Sequence, residues 1–196
     1  VYEAAYNGQE LIVALTGIGK VSSAMILTQI LERYQIDAIL NLGSAGGLQD
    51  YQAIGDIVVG THGSYHDRFF SEIPDITDAN TFYSDAKLIT NVNEVLSRLD
   101  IVHHSGLIIS GDQFLSKVTP HYDSVMEHFA DAQSVDMEST TIMQVANSYN
   151  VPCVVIRSLS DIPGDDDHWG QFDKYLEKAS EQSARVCIEF LKTTKS

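Results

Sequence analysis

At 196 residues and 44% hydrophobic, the chain can bury one sizeable core and is too short for two comfortable domains, so residues 1–196 are read as one domain. A formal net charge of −15 with only 12 Lys and Arg argues against a nucleic acid or anionic membrane partner, because a phosphate-binding surface needs clustered cations. No apolar stretch approaches the roughly 18 residues of a membrane span, and no basic-then-apolar leader opens the chain.

Residues 1–6 and 11–15 are short apolar, β-forming runs separated by Asn7-Gly8, which predicts a hairpin. After Thr16-Gly17-Ile18-Gly19-Lys20, the apolar positions Val21, Ala24, Met25, Leu27, Ile30 and Leu31 recur with helical spacing over 21–34. Residues 38–42 form a nearly continuous apolar run, as in a strand covered on both faces, and end in the small-residue loop Gly43-Ser44-Ala45-Gly46-Gly47. Residues 57–59 are the next buried strand. The stretch 61–83 shows no period and reads as a long loop, of the kind that serves as lid, binding loop or interface.

A helix is expected over 85–99, a strand over 106–109, a turn at 110–114, a short helix over 121–129 and a strand over 134–137. Ser139 or Thr140 can cap the helix that runs to Tyr149. Residues 151–156 form the last buried strand and 175–192 the closing helix. Alternating strands and helices imply an α/β fold, a three-layer αβα sandwich around a mixed, largely parallel sheet.

The stretch 134–161 holds the chain together functionally, since it places Glu138 after one apolar run and Asp161 after the next. Two carboxylates then meet at the carboxyl edge of the sheet, where ligands bind in open α/β folds. Differing environments can divide acid and electrostatic roles between such a pair. Asp161, partly desolvated and near other acids, is expected to hold or deliver a proton near neutrality; the alternative is an Asp that merely caps a turn.

Other motifs are less specific. Gly17-Ile18-Gly19-Lys20 lacks the four residues that a P-loop places before its Gly-Lys pair, and Ser22 stands where a dinucleotide fingerprint needs Gly or Ala. It is a tight turn or lies near a ligand. Gly43–Gly47 can offer backbone N–H groups and one hydroxyl to an anion, ribose or water, or can be a plain glycine turn. His62, His66, His103, His104 and His121 form no metal-like pattern; His103 and His104 would point to opposite faces of a strand. Asp165-Asp166-Asp167 reads as a solvated acidic turn. Cys153 and Cys187 show no zinc spacing and read as buried thiols in a reducing compartment. The expectation is a cytoplasmic protein with a small-molecule ligand and with no metal or cofactor.

Seven segments, in order along the chain, carry a resemblance: Gly17-Ile-Gly-Lys20, Gly43-Ser-Ala-Gly-Gly47, Gly55-Asp-Ile-Val-Val59, Tyr65-His-Asp67, Ser110-Gly-Asp112 with Phe114, Val135-Asp-Met-Glu-Ser139 and Arg157-Ser-Leu-Ser-Asp161. Together they resemble the 5′-methylthioadenosine/S-adenosylhomocysteine nucleosidases of the nucleoside phosphorylase and nucleosidase superfamily. The resemblance implies hydrolysis of the bond between adenine and a 5′-thio-substituted ribose. Asp161 would protonate adenine N7, with Ser160 holding it in place. Glu138 would accept hydrogen bonds from the ribose hydroxyls and favour the positive charge of an oxocarbenium-like transition state. Met137 would pack on the sugar, Phe114 would stack on the purine and the backbone of Leu115 would read its edge. Phe172 would close over the base, Ser44 would lie near the sugar and the attacking water, and Arg157 would pair with nearby acids.

The resemblance also implies a homodimer in which the 61–83 loop reaches the neighbour's site. Two departures accompany it. The family's first strand, and the glutamate that positions water, are expected before Val1, so the domain reads as lacking its first strand. The stretch 68–78 is shorter, more acidic and free of glycine, which leaves the accepted 5′-substituent open. Two other readings remain: a phosphate-dependent phosphorylase of the same superfamily, with Arg68 and Arg157 as candidate phosphate ligands, and an inactive nucleoside-binding member.

Overall fold

The computed structural model describes residues 1–68, 81–117, 119–162 and 168–193, except for the side chains of residues 168, 169 and 171–173. Strands β1 (Tyr2–Tyr6) and β2 (Gln9–Val13) pair antiparallel across Asn7-Gly8. Both turn residues are left-handed, φ 52° and 80°, as a tight two-residue hairpin requires. Helix α1 (Lys20–Arg33) follows the glycine turn, and β3 (Ile39–Gly47) follows α1. Next come β4 (Ile57–Tyr65), β5 (Thr81–Tyr83), α2 (Ala86–Arg98), β6 (His103–Ser110) and α3 (Tyr122–His128). The chain closes with β7 (Ser134–Asp136), α4 (Ser139–Ser148), β8 (Cys153–Asp161) and α5 (His168–Thr193).

The main sheet has the order β5-β4-β6-β7-β3-β8, and β8 also pairs with β4, so its five inner strands form a ring. β3–β8, β4–β6 and β6–β7 are parallel; β3–β7, β4–β8 and β4–β5 are antiparallel. The sheet is thus mixed, with its longest registers parallel. Alternating side chains serve its two faces. Ile57 and Val59 of β4, with Val154 and Ile156 of β8, pack against Val92, Val95 and Leu96 of α2 and Val186 and Phe190 of α5. Val58, Ile108, Cys153 and Val155 pack the other way, with Met143 and Ala146 of α4. A third cluster joins Leu107, Ile109 and Val135 to Leu115 and to Val125 of α3.

Several boundaries differ from the sequence expectation, for one physical reason. Strands β3, β4 and β8 continue past their apolar runs into small or polar residues whose alternation carries no hydrophobic signal. The 43–47 segment, expected as a loop, is the end of β3: Gly43, Ser44 and Ala45 pair with Arg157, Ser158 and Leu159 before a bulge. A Cβ at Gly43 would lie 3.3 Å from the Arg157 guanidinium carbon, a tight contact that the guanidinium would have to yield to. Residues 61–65 and 81–83, expected within the long loop, are strand. Close packing explains Gly63, where a Cβ would meet Thr140 Oγ1 at 2.8 Å and Met143 Sδ at 3.0 Å.

The cap of α4 is also corrected. Neither Ser139 nor Thr140 caps it; Asp136 Oδ1 accepts from the backbone N–H groups of Glu138 and Ser139, at 3.2 and 3.1 Å. Helix α2 is capped by Asp85, whose Oδ1 accepts from Leu88 N at 2.9 Å. His103 and His104 do diverge: His103 Nδ1 meets the Ile101 carbonyl at 2.8 Å, and His104 Nε2 meets Asp56 Oδ2 at 2.9 Å. Cys153 is buried and Cys187 half-buried, both free; burial pushes the Cys153 thiol up to about 12, so it stays an inert thiol.

Candidate active site

The ends of the strands build the site. At the ends of β3 and β8, Gly46 stands beside Asp161; at the ends of β6 and β7, Ser110 stands beside Asp136; and Gly46 also pairs with Val135. The turns leaving these strands therefore surround one mouth. A cavity of about 420 Å³ opens there. Of the residues expected at the site, Ser44, Phe114, Leu115, Met137, Glu138, Ser160 and Asp161 all line it. Residues over 100 positions apart meet because the sheet ring brings their strand ends together.

Asp161 is 2% exposed, and Ser160 Oγ donates to its Oδ1 at 2.8 Å. Glu138 is half-buried, and one of its oxygens is already engaged: Gly19 N donates to Oε1 at 2.7 Å. Burial raises the Glu138 carboxyl above its ordinary range; the Gly19 N–H pulls against that shift and the Asp136 charge adds to it. The two carboxylates thus occupy different environments within one cavity.

Arg157 is not among the cavity-lining residues. Its Nε donates to Asp136 Oδ2 at 2.7 Å and its Nη2 to Asn41 Oδ1 at 2.7 Å, behind the wall. Asp136 does line the cavity, although the sequence reading assigned it no role. It accepts from Ser110 Oγ at 2.6 Å and from Ser139 Oγ, besides Arg157 and the two α4 amides. A signal was present: Asp136 stands two residues before Glu138 in the same Val-Asp-Met-Glu-Ser segment, with a strand before it. Ile18, from the glycine turn, is a further wall residue.

A second cavity of about 400 Å³ shares Gln113 and Leu115 with the first and is lined also by His66, Asp67, Asp112 and His121. His66 is 3% exposed, and burial pushes its imidazole down. Among the described residues no group of three or more His, Cys, Asp or Glu is placed to hold a metal ion. The Phe172 side chain, the acidic run 165–167 and the 69–80 part of the long loop lie outside the described residues.

The phosphorylase superfamily model matches residues 1–192. The chain is 35% identical over 195 residues to 5′-methylthioadenosine/S-adenosylhomocysteine nucleosidase of Bacillus subtilis, covering 95% of this chain and 83% of that protein. It is 39% identical over 191 residues to the nucleosidase of the same name from Shewanella piezotolerans, covering 94% and 82%. Among solved structures, the Neisseria meningitidis nucleosidase in complex with methylthio-immucillin-A superposes with a TM-score of 0.90 at 30% identity, over 98% of this chain and 85% of that one. The S. pneumoniae nucleosidase, with the transition-state inhibitor MT-ImmA, gives a TM-score of 0.88 at 32% identity, over 97% and 84%. A match along nearly the whole chain, at these identities, with the fold and the cavity in place, means that the chain belongs to the 5′-methylthioadenosine/S-adenosylhomocysteine nucleosidase family of the phosphorylase superfamily.

Proposed function

We propose that this protein hydrolyses the N-glycosidic bond of 5′-methylthioadenosine and S-adenosylhomocysteine, releasing adenine and a 5-thio-substituted ribose. The observation that carries the reading is the placement of Asp161 and Glu138 in one cavity with Phe114, Met137 and Ser44. Asp161 protonates adenine N7, and the C1′–N9 bonding electrons leave with the base. Ser160 Oγ, on Asp161 Oδ1, restricts that carboxyl to one orientation. Glu138 accepts from the ribose hydroxyls and offsets the positive charge that develops on the ring. Water supplies the oxygen at C1′ and the proton that restores the Asp161 acid, with Ser44 beside the sugar. Phe114 stacks on the purine and the Leu115 backbone reads its edge. Arg157 acts from behind the wall through Asp136.

The deciding assay is adenine release from methylthioadenosine in phosphate-free buffer. Release without phosphate supports hydrolysis; an absolute phosphate requirement would make the protein a phosphorylase. Ligand-dependent stabilisation with no turnover in either buffer would make it a nucleoside-binding member.

The Glu138 environment gives a pH prediction. Ribose binding needs the carboxylate, and burial makes that form harder to reach, so the acid limb of kcat/KM should lie above the roughly 4.3 at which a free Glu titrates. Activity is present above the raised pKa and is lost as pH falls through it. An acid limb at or below the ordinary Glu range contradicts the assignment.

The reading includes a homodimer acting in the cytoplasm as one domain. The dimer reading fits Val13, Leu15, Ile18, Val21 and Met25, apolar residues that are 53–86% exposed around the start of α1. Sedimentation equilibrium tests this, and a monomer at micromolar concentration would count against it. The free, inert thiols fit a reducing compartment. Among the described residues no helix is long and apolar enough to cross a membrane.

A further inference from the structure

The first turn of α1 is tied to three distant segments. Gly19 N donates to Glu138 Oε1 at 2.7 Å, and Lys20 N donates to Asp112 Oδ1 at 2.8 Å. Lys20 Nζ reaches Asp67 Oδ2 at 2.5 Å and stands 3.6 Å from Asp112 Oδ2. Asp112 N donates to the same Asp67 oxygen, at 2.9 Å. The turn thus presents one amide to Glu138 while its next residue, through backbone and side chain, clamps the Tyr65-His-Asp67 and Ser110-Gly-Asp112 segments.

From this geometry we infer that Lys20 is a positioning residue for the ribose-binding carboxylate. It acts through Gly19, whose amide occupies one Glu138 oxygen and so orients the other toward the sugar. The inference rests on Glu138 being the group that accepts from the ribose hydroxyls. The motif Gly17-Ile-Gly-Lys20 thereby acquires a job that neither of its phosphate-loop readings explained.

Lys20 is suited to the task by charge and by burial. Asp67 and Asp112 approach each other with like charge, and the shared ammonium is what lets both hold the turn. Burial alone would push the Asp67 carboxyl up, but the Lys20 ammonium, with the Asp112 N–H and His66, holds that group below its usual range. The Lys20 and Asp67 side chains are only 24% and 20% exposed, so the pair is less screened than an ordinary surface bridge. Gly19 itself sits at φ 89°, and a Cβ there would lie 2.9 Å from Asp112 Oδ1. A side chain at position 19 would therefore collide with the carboxylate that holds Lys20 N. The N-terminal dipole of α1 adds to the pull on Glu138.

A substrate-discrimination cycle tests this. The kcat/KM ratio of methylthioadenosine to its 2′- and 3′-deoxy analogues is measured for the wild-type chain, K20M, K20R, E138Q and K20M/E138Q. Removing a charged hydrogen-bonding group that orients the acceptor should lower the wild-type preference for the diol about tenfold in K20M, chiefly through KM. K20R should restore part of it by keeping the charge, and K20M should cost E138Q nothing further. Wild-type discrimination in K20M, or a K20M loss of equal size on the E138Q background, overturns the role of Lys20 and leaves the Glu138 assignment standing. Equal discrimination by wild type and E138Q instead removes the Glu138 assignment, and this inference with it.

Discussion

Asp161→Asn is expected to keep methylthioadenosine binding while lowering kcat by about 10²–10⁴-fold, the usual contribution of a positioned general acid. The amide fits the same space and can still donate a hydrogen bond to adenine N7, so the ground-state contact survives. It has no proton to give up, so the base must leave as a poorer leaving group. The surroundings sharpen the expectation: Asp161 is buried, its Oδ1 is held by Ser160, and the cavity brings it to the same space as Glu138. Calorimetric binding with single-turnover adenine release separates the two steps. Turnover equal to wild type would refute the role, and loss of binding in step with rate would point to a structural Asp.

Arg157→Met should destabilise the fold by about 3–5 kcal/mol, the cost typical of removing one partner of a buried ion pair. The Arg157 and Asp136 side chains are 3% and 2% exposed, and the guanidinium also bonds to Asn41. Without it, Asp136 keeps the hydroxyls of Ser110 and Ser139 and the α4 amides but has no countercharge. The loss is one of desolvation: the carboxylate stays buried with its charge uncompensated. Adding Asp136→Asn to Arg157→Met should therefore recover part of the stability, which is a stricter test than the single variant. Urea denaturation at neutral pH measures both. A cost below about 1 kcal/mol for Arg157→Met would place this pair with weak, solvated bridges.

The two predictions concern adjacent layers of one site. Asp161 faces the cavity from the end of β8, whereas Arg157, four residues earlier on the same strand, anchors Asp136 and so the turn that carries Glu138. Both residues stand on a strand that is buried along its whole length. The Lys20 clamp reaches Glu138 through the Gly19 amide.

Much was legible in the residues alone. The helical spacing of 21–34 and 85–99, the Asn7-Gly8 turn and the apolar runs at 38–42, 57–59 and 151–156 each mark an element that the structure contains. These signals are local, set by side-chain period and by the φ preferences of turn residues. Where the signal faded, so did the reading: Gly43-Ser-Ala-Gly-Gly47, Gly60-Thr-His-Gly-Ser64 and Ser158-Leu-Ser160 are strand because neighbouring strands supply their hydrogen bonds. Glycine and serine cannot display an apolar alternation. The acidic cap of α4 was hidden for a related reason, since Asp136 belongs to the strand before the helix it caps.

By itself the sequence determined the fold class, the family resemblance and the identity of the two carboxylates, because each depends on residue type, order and short-range spacing. Tertiary structure alone decided that Ile18 and Asp136 also belong to the cavity wall. It brought Ser44, Phe114 and Ile18 to the same cavity, turned Arg157 away to Asp136, and set the Gly19 amide on Glu138. Those contacts span from 21 to 119 positions along the chain. No local period encodes them; they follow from the closure of β8 on β4 and the meeting of β3 with β7, which fix where each strand end points.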